Sequence, residues 1–106
     1  MLSRRHIAAV ALLSFGAMAV PAQAATIQVV MNDLVIAPAE VSARVGDTIE
    51  WINKDVFAHT ATAGNGDFDV MMPPKKTVTS VVKKAGRIEY YCRFHPNMKA
   101  VLVVAP

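Results

Sequence analysis

The sequence predicts an all-β fold, a small antiparallel sandwich or barrel of about seven short strands. Three observations predict it. Apolar residues alternate at period two through several segments, turn signals separate those segments, and no 3.6-residue periodicity persists beyond the first 24 residues.

Taken in order, the chain opens with a segment that does not belong to that fold. "MLSRRHIAAVALLSFGAMAVPAQA" begins with Arg4 and Arg5, continues as a nearly uncharged run from Ile7 to Val20, and closes on Ala22-Gln23-Ala24. This is the form of a cleavable signal peptide with a small-x-small site before Ala25. The uncharged run is too short for the roughly 20 residues that a membrane span needs. "SRRHIA" also fits a twin-arginine leader, although two basic residues suffice for either export route. Residues 1–24 are therefore expected to be a signal peptide and 25–106 one domain, with a periplasmic destination and no stable membrane insertion after cleavage.

Removing 24 of the 106 residues leaves 82, a size at which the core is thin and a staple helps. The single cysteine, Cys92, has no partner within the chain for a disulfide. A metal ion could serve as the staple instead. Without Arg4 and Arg5 the net charge of +3 falls to +1, nine basic residues against eight acidic ones, and no basic stripe remains to bind nucleic acid. The pairs Lys75-Lys76 and Lys83-Lys84 read as a solvated face.

"TIQVVM" (26–31) is a short β-branched strand. In "EVSARVGDTIEWIN" (40–53), Val41, Ala43 and Val45 share one face, Gly46-Asp47 turns the chain, and Ile49 and Trp51 point inward on the next strand. "GNGD" (64–67) and the prolines at 38, 73, 74 and 96 mark loops. "TVTSVVKK" (77–84) is β-rich, Ala85-Gly86 turns, and "RIEYYC" sets Ile88, Tyr90 and Cys92 on one side. "AVLVV" (100–104) is continuously apolar, which suggests cover on both faces.

The chemistry is concentrated in "YYCRFHPNM". Cys92, His95 and Met98 lie within seven residues, and Cys92 emerges at a strand end beneath the loop that carries the other two. His59, in "DVFAHTATA", is the only other histidine after the leader. Two imidazoles and a thiolate in a trigonal plane, with a weak axial thioether, form an electron-transfer copper site. Thiolate and thioether favour Cu(I), and imidazole accepts both oxidation states. Singly, each residue has a plainer role: a turn histidine, a small buried apolar thiol, a gap-filling methionine. Jointly they fit one site, since an exported protein with an unoccupied thiol risks oxidation.

These residues resemble the cupredoxins, the small blue copper proteins, and the spacing Cys-x2-His-x2-Met is similar to the short ligand loop of the amicyanin group. The likeness extends through "GDTIEWIN", a histidine six residues after that Asn, "VMMPPKK" and "AGRIEYYC", across most of residues 27–104. It implies a Greek-key β-sandwich in which His59, Cys92, His95 and Met98 bind one type 1 copper. It further implies that Asn53 ties the first histidine's strand to the Cys92 loop.

The same resemblance implies a monomer that passes electrons through His95 to redox partners, a dehydrogenase or a cytochrome c. An apolar patch of Phe57, Met71, Met72, Phe94 and Pro96 would form the contact, with Lys75 and Lys76 steering an acidic partner. Arg93-Phe94 and Asn97 depart from the usual amicyanin rim, so methylamine dehydrogenase is not carried over as the donor. The reading is therefore a carrier, not an enzyme. The alternatives are a copper-delivery or buffering protein, a Cys92-nucleophile enzyme with His59 or His95 as base, and a zinc site, for which methionine is an unusual ligand.

Overall fold

The computed structural model describes residues 23–106, so the expected leader lies outside the described residues except for Gln23 and Ala24. Among the described residues there are nine strands: β1 (Thr26–Asn32), β2 (Val35–Ala37), β3 (Glu40–Arg44), β4 (Thr48–Asn53), β5 (His59–Ala63), β6 (Asp69–Met72), β7 (Thr77–Val81), β8 (Gly86–Cys92) and β9 (His95–Ala105). The two strands beyond the expected seven include β2, of three residues, which is too short to show alternation.

The strands form two facing sheets, ordered β2-β1-β4-β7 and β3-β9-β8-β5-β6. Antiparallel pairing dominates, as expected, but β1 runs parallel to β4 and β3 runs parallel to β9. In the chain β1 and β4 are separated by β2 of their own sheet and β3 of the other, and β3 and β9 by five strands from both sheets, a long-range relation that alternation along one segment cannot reveal.

Period-two alternation sets the core. Every second residue of β4 is buried, placing Ile49, Trp51 and Asn53 inside, and β8 buries Ile88, Tyr90 and Cys92. The Trp51 ring meets Tyr90 edge-on at 5.4 Å and Phe68 at 6.1 Å, between the sheets. Its Nε1–H is satisfied by Ser80 Oγ at 2.9 Å. Burial of such a side chain stabilises the fold by about 2–3 kcal/mol.

Two local expectations need correction. Val45 is not on the buried face with Val41 and Ala43 but 44% exposed, because strand β3 ends at Arg44 and Val45 already belongs to the turn before Gly46. Strand β9 is covered on one face only: Ala100, Leu102 and Val104 are buried, while Val101 and Val103 on the outer face are half-buried. A two-layer sandwich has no third layer to cover that outer face.

Candidate metal centre

Strand β8 ends at Cys92, Arg93 and Phe94 turn the chain, and β9 begins at His95, so Cys92 and His95 are cross-strand partners. The pairing register shifts between Tyr91 and Cys92. A bulge of this kind re-aims the side chain beyond it. His59 is the first residue of β5, two strand positions from β9 in the same sheet.

Three donor atoms converge there although 33 residues separate His59 from Cys92. Cys92 Sγ lies 3.6 Å from His59 Nδ1 and 3.8 Å from His95 Nδ1, and all three donors lie within 4.8 Å of one another. Metal–ligand bonds of about 2.0–2.3 Å, opening at trigonal or tetrahedral angles, hold donors apart by roughly 3.5–3.8 Å. The two sulfur–nitrogen spacings therefore fit one ion between three ligands. His59 and Cys92 are fully buried, and His95 is half-buried with its ring 5.9 Å from that of Phe57. Met98, 3% exposed, faces inward from β9 three positions after His95.

His59 is oriented by a residue that the motif did not reveal. Its Nε2 lies 2.7 Å from Asp55 Oδ2, so Nε2–H donates to the carboxylate and the lone pair of Nδ1 faces Cys92. Asp55 is itself anchored by the β1–β2 turn, accepting N–H bonds from Asp33 at 2.7 Å and Leu34 at 3.0 Å. Burial pushes the Asp55 carboxyl up, but the bonds from His59, Leu34 and Asp33 prevail and hold it below the usual carboxylate range. The signal available in the sequence was only an acidic residue four places before His59.

Asn53 does not reach the Cys92 loop. Its Nδ2 donates to the carbonyls of Phe57 at 2.8 Å, Met72 at 3.3 Å and Pro73 at 3.2 Å, and its Oδ1 accepts from Asp55 N–H at 2.9 Å. It closes the loop between β4 and β5 instead. The tie to the cysteine loop is Thr60, whose N–H points at Cys92 Sγ at 3.4 Å and whose Oγ1 accepts from Arg93 N–H at 2.8 Å. That hydroxyl also bonds Thr62 Oγ1 at 2.8 Å; Thr62 donates to Asp69 Oδ1 at 2.7 Å, and Arg93 Nε closes the ring on the same oxygen at 3.2 Å. Thr60 was legible only as the neighbour of His59.

Most of the expected patch is exposed, and Phe57 packs its ring against that of His95. Phe57 and Met71 are 50% exposed, Phe94 is 46% exposed, and Val56 adds to them at 68%. Pro96 is exposed as well. Met72 is not part of this surface: it is fully buried, because alternation along β6 turns Met71 out and Met72 into the core. Lys75 and Lys76 are exposed, although Lys75 Nζ is engaged by the Lys54 carbonyl at 2.6 Å.

A family model of the cupredoxin-like domain matches residues 5–104. The methylamine utilization protein MauL of Methylorubrum extorquens is 30% identical over 91 residues, which cover 82% of this chain and 80% of that one. Amicyanin of Paracoccus denitrificans is 30% identical over 71 residues, 61% of this chain and 54% of the relative. Among solved structures, amicyanin from Paracoccus versutus superposes with a TM-score of 0.64 at 28% identity, covering 81% of this chain and 85% of that chain.

Proposed function

Because this chain belongs to the cupredoxin-like family, with copper as the metal its donor set suits, we propose that it is a periplasmic one-electron carrier holding a single type 1 copper at His59, Cys92, His95 and Met98. The observation that supports this most directly is the convergence of two Nδ1 atoms and one Sγ within 4.8 Å. When bound, the ion supplies the redox chemistry, alternating between Cu(I) and Cu(II).

The chain's own residues would do the rest. Asp55 fixes the tautomer and ring plane of His59. The Thr60 N–H donates toward the sulfur, drawing charge from it and favouring the reduced state. Thr60 Oγ1 holds the ligand loop at Arg93, so the two donors on either side of the turn keep their spacing. Met98 would supply a fourth, weaker donor through its thioether sulfur. His95, half-buried with its ring against that of Phe57, offers the route to a partner, and a small transient contact of under about 1,200 Å² suffices for electron transfer.

Full burial of His59 and Cys92 favours a carrier over a delivery protein, because a donor that hands its metal on must be reachable by the acceptor's ligands. The leader read in the sequence supports a periplasmic location, and no helix among the described residues is long and apolar enough to cross a membrane. MauL is named for methylamine utilization, yet Arg93, Phe94 and Asn97 alter the rim of the patch, so the redox partner is assigned only as a dehydrogenase or a cytochrome c.

The test is to add Cu(II) to the purified protein and record visible and electron paramagnetic resonance spectra. A strong thiolate-to-copper band, lost in Cys92→Ala, is expected, together with slow release of copper to a chelator. A colourless adduct, or release within minutes, would exclude the carrier.

A further inference from the structure

Asp47 lies at the end of the sandwich where strand β1 begins, and both of its carboxylate oxygens are used. Oδ1 accepts the N–H of Ala25 at 2.9 Å, and Oδ2 accepts the N–H of Arg44 at 2.8 Å. The side chain is 5% exposed. Ala25 is fastened a second time through its carbonyl, which accepts the Thr48 N–H at 2.9 Å. Residue 25 is thus held at both its nitrogen and its oxygen, one position before β1, although its side chain, like those of Gln23 and Ala24, is exposed.

The held nitrogen is the one that the small-x-small motif Ala22-Gln23-Ala24 would release. We propose that cleavage between Ala24 and Ala25 turns the Ala25 N–H into an α-ammonium paired with the buried Asp47 carboxylate, so that removal of the leader supplies a structural ion pair. A signal peptidase adds water across the amide: the C–N bond breaks, Ala24 keeps the carboxylate, and Ala25 keeps the amine, which takes up a proton. Before cleavage the nitrogen offers Asp47 one hydrogen and no charge. Afterwards it offers a full positive charge and up to three hydrogens at the same distance, a bond about twice as strong.

The fold also discriminates between cleavage positions. One residue earlier, the charge stands on exposed Ala24 and Asp47 meets only an amide. One residue later, Ala25 is gone, and Asp47 Oδ1 and the Thr48 N–H both lose their partners. Arg44 is the cation already beside Asp47, and it bonds through its backbone N–H, so the ammonium adds a charge in direct contact that the uncut chain lacks. None of this depends on copper.

The experiment expresses the full chain for export and reads the N-terminus of the product by intact mass, with Ala25 expected. Chemical denaturation then compares that product with a chain retaining Ala24, each with and without Asp47→Asn. The substitution is expected to lower the folding equilibrium constant about tenfold more in the chain that begins at Ala25. Acetylating the Ala25 amine, which leaves Asp47 intact, is expected to cause a similar loss. A different N-terminus, an equal effect of Asp47→Asn in both chains, or no effect of acetylation would overturn the proposal.

Discussion

The backbone N–H of Thr60 points at the sulfur of Cys92 from 3.4 Å, and the Thr60 hydroxyl accepts the N–H of Arg93, the next residue after that sulfur. One buried threonine thus touches both the ligand atom and the loop that carries it.

Thr60→Val keeps the shape and the backbone donor but leaves Arg93 N–H without its acceptor. Loss of that bond should cost about 1–3 kcal/mol of stability. The thiolate band should remain while the apo protein's denaturant midpoint falls. An unchanged midpoint would show that the Thr60–Arg93 bond contributes nothing.

Removing the carboxylate at Asp55→Ala frees His59 Nε2 and the N–H groups of Asp33 and Leu34 together. Partners of this kind usually control metal affinity by 10- to 100-fold. Competition against a copper chelator should show a loss of that size, with Asp55→Glu recovering part of it.

Met98→Leu is nearly volume-conserving, so a stability loss of under about 1.5 kcal/mol is expected. If Met98 is a donor to the copper, the thiolate-to-copper band persists and the reduction potential rises. Voltammetry checks this, and an unmoved potential would place Met98 in the core alone.

Tyr90 is 2% exposed, and its Oη finds no hydrogen-bond partner among the described residues. Burial pushes its hydroxyl far above the ordinary phenol range. Tyr90→Phe removes an unsatisfied buried group and keeps the ring packing with Trp51 and Phe68. The variant should be as stable as the parent or more so, by up to about 1 kcal/mol in urea denaturation.

Acid should weaken the end of the sandwich at Asp47. The Ala25 N–H, then the Arg44 N–H, hold its carboxyl below the ordinary value of 3.8. A depressed folded-state pKa gives stability that is complete above the unfolded value and is lost as pH falls through the folded one. The stability gap between the parent and Asp47→Asn should therefore be widest near neutrality and should close as pH drops below about 4.

The fold was legible where one residue reports on its own surroundings. Ile49, Trp51, Ile88, Tyr90 and Cys92 point inward because a half-buried strand must alternate. Cys92 and His95 were legible as a pair from their three-residue spacing alone; that β9 begins at His95 and runs through Pro96, making the two cross-strand partners rather than a strand end and a loop, was not. What lay beyond local reading were relations set by packing between distant segments: the parallel pairing of β1 with β4, the reach of the β1–β2 turn to Asp55, and the assignment of the loop tie to Thr60 rather than Asn53. Asn53 has the right polarity but ends β4, in the other sheet, and its side chain is turned toward Phe57, Met72 and Pro73. Only the meeting of β5 with β8 decides which of the two reaches the cysteine loop.

Strand β9 lies between β3 and β8 in the five-stranded sheet and carries both His95 and Met98. A chain in which β9 has not yet docked therefore has a gap through that layer, with His95 and Met98 out of place. Closure waits on contacts remote in sequence, which are slow to form. His95 joins His59 and Cys92 only when that strand docks, so the donor cluster is completed by a late step of folding rather than by a local one.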